Sequence, residues 1–312
     1  MFRRKRFHLR LPTRTLALGE RTLVMGVLNV TPDSFSDGGK FLDVNPAVRR
    51  ALEMERDGAD ILDIGGESTR PGSEGVSAKE ELRRVLPVLE RLRGRLRIPI
   101  SIDTQKAEVA EAAARVGAEI INDVSALRTD LRLADVARRY KLPLILMHMR
   151  GKPRTMQTGP FARDVMRDVM QGLRAAGQRA RKMGMAKSQI ILDPGIGFGK
   201  NYAQNCELLA RLPELAQLGF PLLLGTSRKA FIGAMLGSAK KPLPPEERLW
   251  GTAATIAASI FGGAHIVRVH DVREMAQVAR MAELAQLGFP LLLGTSRKAF
   301  IGAMLGSAKK PL

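Results

Sequence analysis

The sequence predicts an α/β fold of the (β/α)8 TIM-barrel type, with an N-terminal hairpin and a redundant C-terminal extension. Eight short runs rich in Val, Ile and Leu alternate with stretches whose apolar residues recur at helical spacing. The apolar runs are continuous rather than alternating, which indicates strands buried on both faces and therefore a parallel sheet. Eight such βα units in about 260 residues fit a closed barrel better than an open doubly wound sheet.

Each element follows from its local pattern. Apolar residues that alternate on both sides of a turn at 12–13 predict the hairpin, which we expect to cover the bottom of the barrel. The predicted barrel strands are 22–28, 60–64, 98–102, 119–121, 142–147, 189–192, 220–224 and 264–269. Helical spacing is clearest at 47–57, 79–92, 106–116, 131–140, 164–183 and 248–261. A final helix should begin near residue 271 and end soon after residue 281.

A letter-for-letter repeat marks the C-terminal end. Residues 214–243 recur as residues 283–312. Repeat arrays need about three copies and usually drift in sequence, so a single perfect copy is instead typical of a recent duplication. The predicted domain is therefore a barrel at 1–282, with the duplicate at 283–312 outside it. The duplicate could be loosely attached, dock on the barrel or on a second subunit, or compete for the seventh strand position.

Composition limits the class of protein. The 312 residues are 45% hydrophobic, enough for a sizeable core, and no apolar run approaches the roughly 18–20 residues of a membrane span. The basic start MFRRKRFHLRL lacks the apolar segment of a secretory signal. Cys206 is the only cysteine, and we expect it to be buried in the helix after the sixth strand. We expect a cytoplasmic protein.

The charge balance favours anionic partners. The chain has 50 Lys and Arg against 31 Asp and Glu, a net charge of +19. Nucleic-acid-binding proteins cluster basic residues among aromatics, whereas here the basic residues are scattered beyond 3–6 and aromatics are 4%. We therefore expect no nucleic-acid partner and no membrane partner, but small phosphorylated or carboxylated substrates.

Polar residues follow nearly every predicted strand. In a TIM barrel the βα loops form one shared mouth at the C-terminal ends of the strands, where functional residues lie. In strand order, these residues are Asn29, the segment GGESTRPG (65–72), Asp103, Asn122 with Asp123, His148, Asp193, the segment TSRK (226–229), and Arg268 with His270. So complete a set predicts an active or binding site.

The residue types point to a flat heterocycle beside an anion. Four residues combine donors and acceptors for an amide-like ring edge, which a carboxylate can hold by paired hydrogen bonds; they are Asp103, Asn122, Asp193 and Lys229. Arg268 can lie flat on such a ring or meet an anion. With Asn29 and His270 it forms a predicted corner for a diphosphate and Mg²⁺, since Mg²⁺ prefers oxygen ligands and keeps several waters. No cluster has the ligand spacing of a zinc site.

Three glycine-rich loops border this mouth. TPDSFSDGG (31–39) and STRPG (68–72) are rich in Gly, Pro and Ser, and such loops often close over a substrate and exclude water. DPGIGFGK (193–200) lacks the phosphate-binding GxxxxGK[ST] pattern and instead predicts a tight turn from which Asp193 projects.

These motifs closely resemble those of the dihydropteroate synthase family. VMGVLNVTPDSFSDGG (24–39) and GADILDIGGESTRPG (58–72) are similar to its two signature segments. SIDTQK (101–106), INDVSA (121–126), LMHMRGKPRTMQ (146–157), LDPGIGFGK (192–200), GTSRKAFIG (225–233) and RVHDV (268–272) resemble its remaining strand-end motifs. The resemblance covers about residues 5–282, in order.

The resemblance implies a transferase of folate biosynthesis that sulfonamides target. Its reaction condenses (7,8-dihydropterin-6-yl)methyl diphosphate with 4-aminobenzoate, giving 7,8-dihydropteroate and diphosphate. The implied pterin pocket is Asp103, Asn122, Asp193, Lys229, Arg268, Met147 and Phe198. The implied 4-aminobenzoate contacts are Thr69, Arg70, Ser227, Phe35 and Pro71.

The family also implies roles in catalysis and assembly. Asn29 would contribute to the Mg²⁺ site, and the implied catalytic residues are Asp103, Lys229, Arg268 and His270. Neutralisation of the departing diphosphate and stabilisation of the pterin cation would drive the reaction. The family usually forms a homodimer through helices near its C-terminus, a contact that the extension could obstruct.

Two alternatives stay open on the residues alone. A corrinoid methyltransferase domain that binds methyltetrahydrofolate would share the pterin-binding carboxylates, but it would not be expected to keep TPDSFSDGG, STRPG and GTSRK together. A non-catalytic pterin-binding paralogue would normally show losses in the loops or among the polar strand ends, and none is seen.

Overall fold

Eight parallel strands close into a barrel in the computed structural model, which describes residues 4–31, 44–68, 73, 75–151, 155–156, 159–238 and 240–286. The strands are β3 (Leu23–Asn29), β4 (Ile61–Gly65), β5 (Ile100–Asp103), β6 (Ala118–Asp123), β7 (Leu144–Met147), β8 (Ile190–Asp193), β9 (Leu223–Leu224) and β10 (Ile266–Val269). From β3 to β8 each strand pairs with the next, and β10 pairs with both β9 and β3. A bridge between Leu192 and Leu222 closes the ring, which confirms the predicted TIM barrel.

Helices surround the strands. Within the described ranges they are α1 (Val44–Arg56), α2 (Ala78–Leu92), α3 (Ala107–Arg115), α4 (Arg132–Tyr140), α5 (Val165–Lys182), α6 (Tyr202–Ala210), α7 (Ala230–Leu236), α8 (Leu249–Phe261) and α9 (Val272–Gln286). Side-chain caps fix several starts: Ser77 accepts from the Glu80 N–H, and Asp164 from the Arg167 N–H. In this part of the chain, no helix is long and apolar enough to cross a membrane. The cytoplasmic location stays a prediction.

The seventh barrel strand is shorter than the sequence predicts. We expected residues 220–224, but only Leu223–Leu224 pairs as a strand. Pro221 has no N–H to donate to a ladder. Before β9 begins, the segment therefore bonds its neighbours through carbonyls: Pro221 accepts from the Leu192 N–H, and Leu222 accepts from the N–H groups of His265 and Ile266. The other predicted strands and helices are present, with ends that differ by a few residues.

Alternate strand residues face the barrel interior and form layers. The lower layer is apolar and includes Met25, Ile61, Ile120, Ile145, Ile191, Leu223 and Ile266. The hairpin of β1 (Phe7–Arg10) and β2 (Thr15–Leu18) covers this end, as predicted, because Leu9 and Leu18 pack into the same cluster. Two residues further along four of these strands, the inward positions turn polar: Asp63, Asn122, Asp193 and Arg268.

Cys206 corrects one expectation. It lies in α6, as predicted, but its side chain is exposed, so the expectation of a buried cysteine is wrong. The face of α6 that packs inward carries Gln204, Asn205 and Leu208 instead. The polar residues near the helix start are buried because they form hydrogen bonds there, which reverses the simple apolar-inside pattern.

The last helix runs into the repeat. α9 ends at Gln286, so the predicted boundary at 282 falls inside a helix. Glu283, the first residue of the second copy, accepts from the Thr22 N–H at 3.0 Å and pairs with the Arg4 guanidinium. The Arg4 side chain is only 4% exposed. The start of the duplicate therefore belongs to the barrel, and residues 287–312 lie outside the described residues.

This contact predicts different effects for one residue in its two copies. Glu283→Ala should lower the free energy of unfolding by about 3 kcal/mol, because it leaves the buried Arg4 without its carboxylate. Glu214→Ala is the matched control: Glu214 pairs with Arg211 on the surface, with side chains 43% and 41% exposed. That variant should lose at most about 0.5 kcal/mol. Chemical denaturation measures both, and equal losses would contradict the assignment.

Candidate active site

An open pocket lies at the mouth of the barrel. Its lining includes eight of the residues that the sequence predicts for the site: Asn122, Met147, Asp193, Phe198, Ser227, Lys229, Arg268 and His270. They come from the ends of five different strands and the loops after them, so closure of the barrel is what brings them together.

Arg268 joins two carboxylates beneath the cavity. Its Nε donates to Asp63 Oδ2 at 2.6 Å, and its Nη2 donates to Asp103 Oδ2 at 2.7 Å. Asn122 Nδ2 also donates to Asp63 Oδ2, at 3.0 Å. Burial acts to lower the pKa of Arg268, but the two carboxylates outweigh it and raise that pKa. Asp103, predicted for the pterin pocket, therefore joins the site through Arg268.

Asp63 is a site residue that the sequence analysis missed. Its side chain is fully buried, and its Oδ1 has no hydrogen-bond partner among the described residues. The predicted site residues all follow a strand, whereas Asp63 lies inside the apolar run ILDIG. The signal was a charged residue at the same strand parity as Ile61, and therefore on the inward face.

Burial changes the acidity of both predicted pterin carboxylates. It raises the pKa of Asp103 to about 7, with Arg268 opposing and Asp63 adding to the rise. It raises the pKa of Asp193 to about 6, opposed by the Gly195 N–H, which donates to Asp193 Oδ1 at 2.6 Å. Carboxyl groups poised near neutrality in a cavity are typical of functional sites.

Lys229 and Phe198 form one wall of the cavity. The Lys229 Nζ lies 4.0 Å from the centre of the Phe198 ring, a cation–π contact. Burial and the charge of Arg268 lower the pKa of Lys229 to about 8. Phe198 packs in a small apolar cluster with Met147, Val124, Met149 and Met156. The result is an apolar wall that faces charged hydrogen-bonding groups, which suits a flat polar ring.

Ser227 and His270 form a separate corner. The His270 N–H donates to Ser227 Oγ at 3.2 Å, and His270 Nδ1 lies 3.0 Å from the same oxygen. The hydroxyl proton is free to donate to Nδ1, and in that tautomer the ring proton lies on Nε2. Burial, together with Arg268, lowers the pKa of His270 to about 3. His270 is thus a neutral donor at pH 7, not a cation.

Two of the polar residues that follow the predicted strands, Arg228 and His148, turn away from the cavity. Arg228 Nε donates to Asp271 Oδ2 at 3.0 Å, which holds this side chain against the start of α9. His148 lies behind the 193–200 loop, where it contacts Lys200 and Asp168. Neither is among the residues that line the cavity.

The structure describes Asn29 and Ser227 among the residues predicted to bind the metal and 4-aminobenzoate. Asn29 ends β3, beside β10, but it does not line the cavity. The described residues contain no group of three or more His, Cys, Asp or Glu side chains that could hold a metal ion. Four of the predicted 4-aminobenzoate contacts lie outside the described residues: Phe35, Thr69, Arg70 and Pro71.

Comparisons with known proteins decide the family. The family model described as pterin binding enzyme matches residues 25–270. The curated dihydropteroate synthase of Synechocystis is 52% identical over 265 residues, which are 85% of this chain and 90% of that protein. The chain belongs to the dihydropteroate synthase family. It is accordingly an enzyme, a transferase of folate biosynthesis, as the resemblance implied, and the corrinoid methyltransferase alternative falls away.

Solved structures agree with this assignment. The dihydropteroate synthase of Clostridium difficile, crystallised with pteroic acid, is 47% identical with a TM-score of 0.79, covering 86% of this chain and 98% of that one. The synthase of Xanthomonas albilineans with 4-aminobenzoic acid is 43% identical with a TM-score of 0.83, covering 92% of this chain and 100% of that one.

The pKa values of Asp103, Asp193 and Lys229 predict a bell-shaped pH profile. kcat/KM for the pterin substrate should fall below about pH 7, where Asp103 and then Asp193 gain protons and lose acceptors. It should also fall above about pH 8, where Lys229 loses its charge. Initial rates at subsaturating pterin diphosphate measure the profile, with Asp193→Asn as the control that loses the lower, Asp193 step of the acidic limb and keeps the Asp103 step. A flat profile from about pH 5 to about pH 9 would contradict these roles.

Proposed function

We propose that the cavity at the barrel mouth joins (7,8-dihydropterin-6-yl)methyl diphosphate to 4-aminobenzoate, giving 7,8-dihydropteroate and diphosphate. The pterin lies against the wall of Met147 and Phe198, and its polar edge faces the buried groups. The observation that carries this proposal is the Arg268 pair with Asp63 and Asp103 beside Asp193 and Lys229, a buried set of donors and acceptors. Such a set recognises a planar amide-bearing ring.

The charges of the site suit the chemistry. Departure of diphosphate leaves a methylene cation that is delocalised over the pterin ring, and the Asp103 carboxylate stabilises positive charge there. The amine of 4-aminobenzoate is neutral at pH 7, so it attacks without a general base, and the ammonium that forms then loses its proton to water. His270 is neutral, and with Ser227 at its Nδ1 the ring can donate a hydrogen bond from Nε2 to the departing anion.

The departing diphosphate would meet the corner of Ser227 and His270. Arg268, Lys229 and the Nε2–H of His270 supply positive charge and hydrogen bonds for the diphosphate. These groups lower the barrier only as far as they hold the diphosphate more tightly as it departs than in the bound substrate.

We propose that Mg²⁺ arrives with the diphosphate and meets Asn29 at the end of β3. Mg²⁺ usually binds through one or two protein oxygens together with substrate phosphates and waters, so the Asn29 amide oxygen could serve as its protein ligand without an acidic cluster. When bound, Mg²⁺ neutralises charge on the leaving diphosphate. Asn29→Ala should weaken diphosphate binding in the presence of Mg²⁺ and leave it unchanged with EDTA, as titration calorimetry can measure. Equal affinities for both proteins in Mg²⁺ would contradict this role.

The 4-aminobenzoate contacts complete the proposal. Ser227 lies at the cavity beside His270, where it can meet the second substrate. Thr69, Arg70, Phe35 and Pro71 stay predictions for the same substrate. Sulfonamides resemble 4-aminobenzoate, so we expect them to compete with it and not with the pterin.

We also propose a homodimer through one apolar face. An open groove runs between α8 and α9 and is lined mainly by Ala, Met and aromatic residues. Trp250 in this groove is 79% exposed and Phe261 is 46% exposed. Exposed contiguous apolar surface of this kind marks interaction sites.

The single tryptophan of the chain reports on this face. Trp250 emission should shift to the blue as protein concentration rises, together with a doubling of mass in light scattering. A shortened chain that ends at residue 286 shows whether a second copy or residues 287–312 cover the groove. If residues 287–312 cover the groove, the full chain stays monomeric and only the shortened chain dimerises. Monomers of both lengths would contradict the dimer.

Binding of the pterin tests the proposed placement directly. Asp193→Asn replaces one acceptor oxygen by a donor and should weaken pterin binding about 10- to 100-fold, as expected for one buried charge-assisted hydrogen bond. A fluorescence titration with the pterin as its own probe measures the affinity. Unchanged affinity would contradict the placement of the ring against Asp193.

A further inference from the structure

Lys200 buries an ammonium group beside the cavity with only neutral partners. Its side chain is among the largest fully buried ones, and the residue is 2% exposed. Its Nζ donates to the carbonyls of Gly195 and Phe198, both at 2.9 Å, and lies 3.1 Å from His148 Nδ1. Three partners match the three protons of the ammonium group. Burial lowers the pKa of Lys200 to about 7. Because burial of an amine without a carboxylate partner is costly, this arrangement calls for a role.

His148 is arranged to accept from Lys200. Its Nε2 lies 3.4 Å from Asp168 Oδ2, so the Nε2 proton points to α5 and Nδ1 is left as an acceptor. Burial lowers the pKa of His148 to about 4, which keeps the ring neutral. Asp168 is held in turn by Arg150 Nη1, at 3.0 Å. A chain of contacts therefore links Lys200 to the helix that follows β7.

The backbone of the 193–200 loop is shaped around this ammonium. Gly195 and Gly199 both have φ of +65°, a conformation that side chains rarely adopt. A Cβ at Gly195 would lie 1.9 Å from the His148 carbonyl oxygen, and one at Gly199 would lie 2.2 Å from the Arg150 carbonyl oxygen. The loop is thus coiled tightly against the segment after β7, with two carbonyls turned inward to Lys200.

The same loop presents two pocket residues. The Gly195 N–H donates to Asp193, while the Gly195 carbonyl accepts from Lys200. The Phe198 carbonyl also accepts from Lys200, and the Phe198 ring lies beneath the Lys229 ammonium. Lys200 therefore fixes both ends of the segment that carries the acceptor and the apolar wall of the cavity.

We propose that Lys200 is a positioning residue that orders the 193–200 loop for the pterin substrate. It touches no substrate; it holds Asp193 and Phe198 in place through the two carbonyls. The inference rests on the proposed placement of the pterin against these two residues. It predicts selectivity: loss of Lys200 weakens pterin binding, whereas 4-aminobenzoate, bound elsewhere in the mouth, is little affected.

The test compares Lys200→Met with Lys106→Met. Lys106 is a matched control because it is another inward lysine, paired with Glu67 at 2.7 Å and Glu81 at 2.6 Å, and not part of the 193–200 loop. Lys200→Met should raise the dissociation constant and KM of the pterin diphosphate about 10- to 100-fold, with KM for 4-aminobenzoate changed less than about threefold. Lys106→Met should leave pterin affinity at the wild-type value.

A second variant keeps the test valid if Lys200→Met does not fold. His148→Phe keeps a ring of similar shape and removes the Nδ1 acceptor of Lys200, while the two carbonyl acceptors remain. Pterin affinity should then fall about three- to tenfold, and circular dichroism checks that the variant is folded.

The outcomes separate the two proposals. Wild-type pterin affinity in a folded Lys200→Met or His148→Phe variant, or equal increases in KM for both substrates, would overturn the role of Lys200. If Asp193→Asn also left pterin affinity unchanged, the placement of the pterin itself would be wrong. Weakening by Asp193→Asn alone would leave that placement intact and reject only the inference about Lys200.

Discussion

Lys229→Met should reduce turnover about 10²- to 10³-fold, the loss expected when one preorganised group that stabilises transition-state charge is removed. The Lys229 ammonium lies at the cavity above Phe198, and the charges of Asp103 and Asp193 act on it. Methionine keeps the length and the contact with Phe198 but removes the charge and the donor. Steady-state formation of dihydropteroate at saturating substrates measures the loss.

The repeat supplies the control for this prediction. Lys298 is the counterpart of Lys229 in the second copy and lies outside the described residues. Because the first copy already provides β9 of the closed barrel, Lys298→Met should leave turnover unchanged. Loss of activity at Lys298 with retention at Lys229 would show that the second copy supplies the catalytic strand.

Arg268→Gln should have the second large effect, on activity and stability together. Asp63 is fully buried and Asp103 nearly so, and Arg268 is the cation that pairs with both. Its removal leaves two buried carboxylates without their partner, which should lower the free energy of unfolding by about 3–5 kcal/mol. kcat/KM for the pterin diphosphate should fall at least about 10³-fold, because the guanidinium is also lost from the diphosphate corner.

A double variant separates these two effects. Asp63→Asn in the Arg268→Gln background removes one unpaired charge, so it should restore much of the stability measured by denaturation. It should not restore activity, since the guanidinium is still absent from the cavity. If activity returned together with stability, Arg268 would serve the fold alone, and its placement in the catalytic site would be wrong.

The barrel and most of the site were predictable because they depend on strand order. Parallel strands end at one edge, so polar residues after the apolar runs were expected to gather there, and Asn122, Asp193, Lys229, Arg268 and His270 do. The family resemblance, carried by eight motifs, indicated which substrate each of these residues contacts. The length of β9 was predicted less well, because the apolar run included Pro221 and apolar character alone does not show where pairing begins.

The rest depended on contacts that the sequence does not display. Asp63 was missed because its role comes from Arg268, some two hundred residues further along the chain. The neutral state of His270 results from burial next to cations that other strands supply. Glu283 was predicted to lie outside the barrel because its sequence copies Glu214, yet its neighbours in space are Arg4 and Thr22. A residue's role follows from its surroundings, and a duplicated residue acquires new ones.

The most direct measurement follows both products of the full chain with Mg²⁺ present. Diphosphate release from the pterin diphosphate and dihydropteroate formation are measured together, with and without 4-aminobenzoate. The account predicts equal molar amounts of the two products, dependent on 4-aminobenzoate and reduced in parallel by Lys229→Met. Tight pterin binding by folded protein without release of diphosphate would contradict it and identify a pterin-binding protein without catalysis.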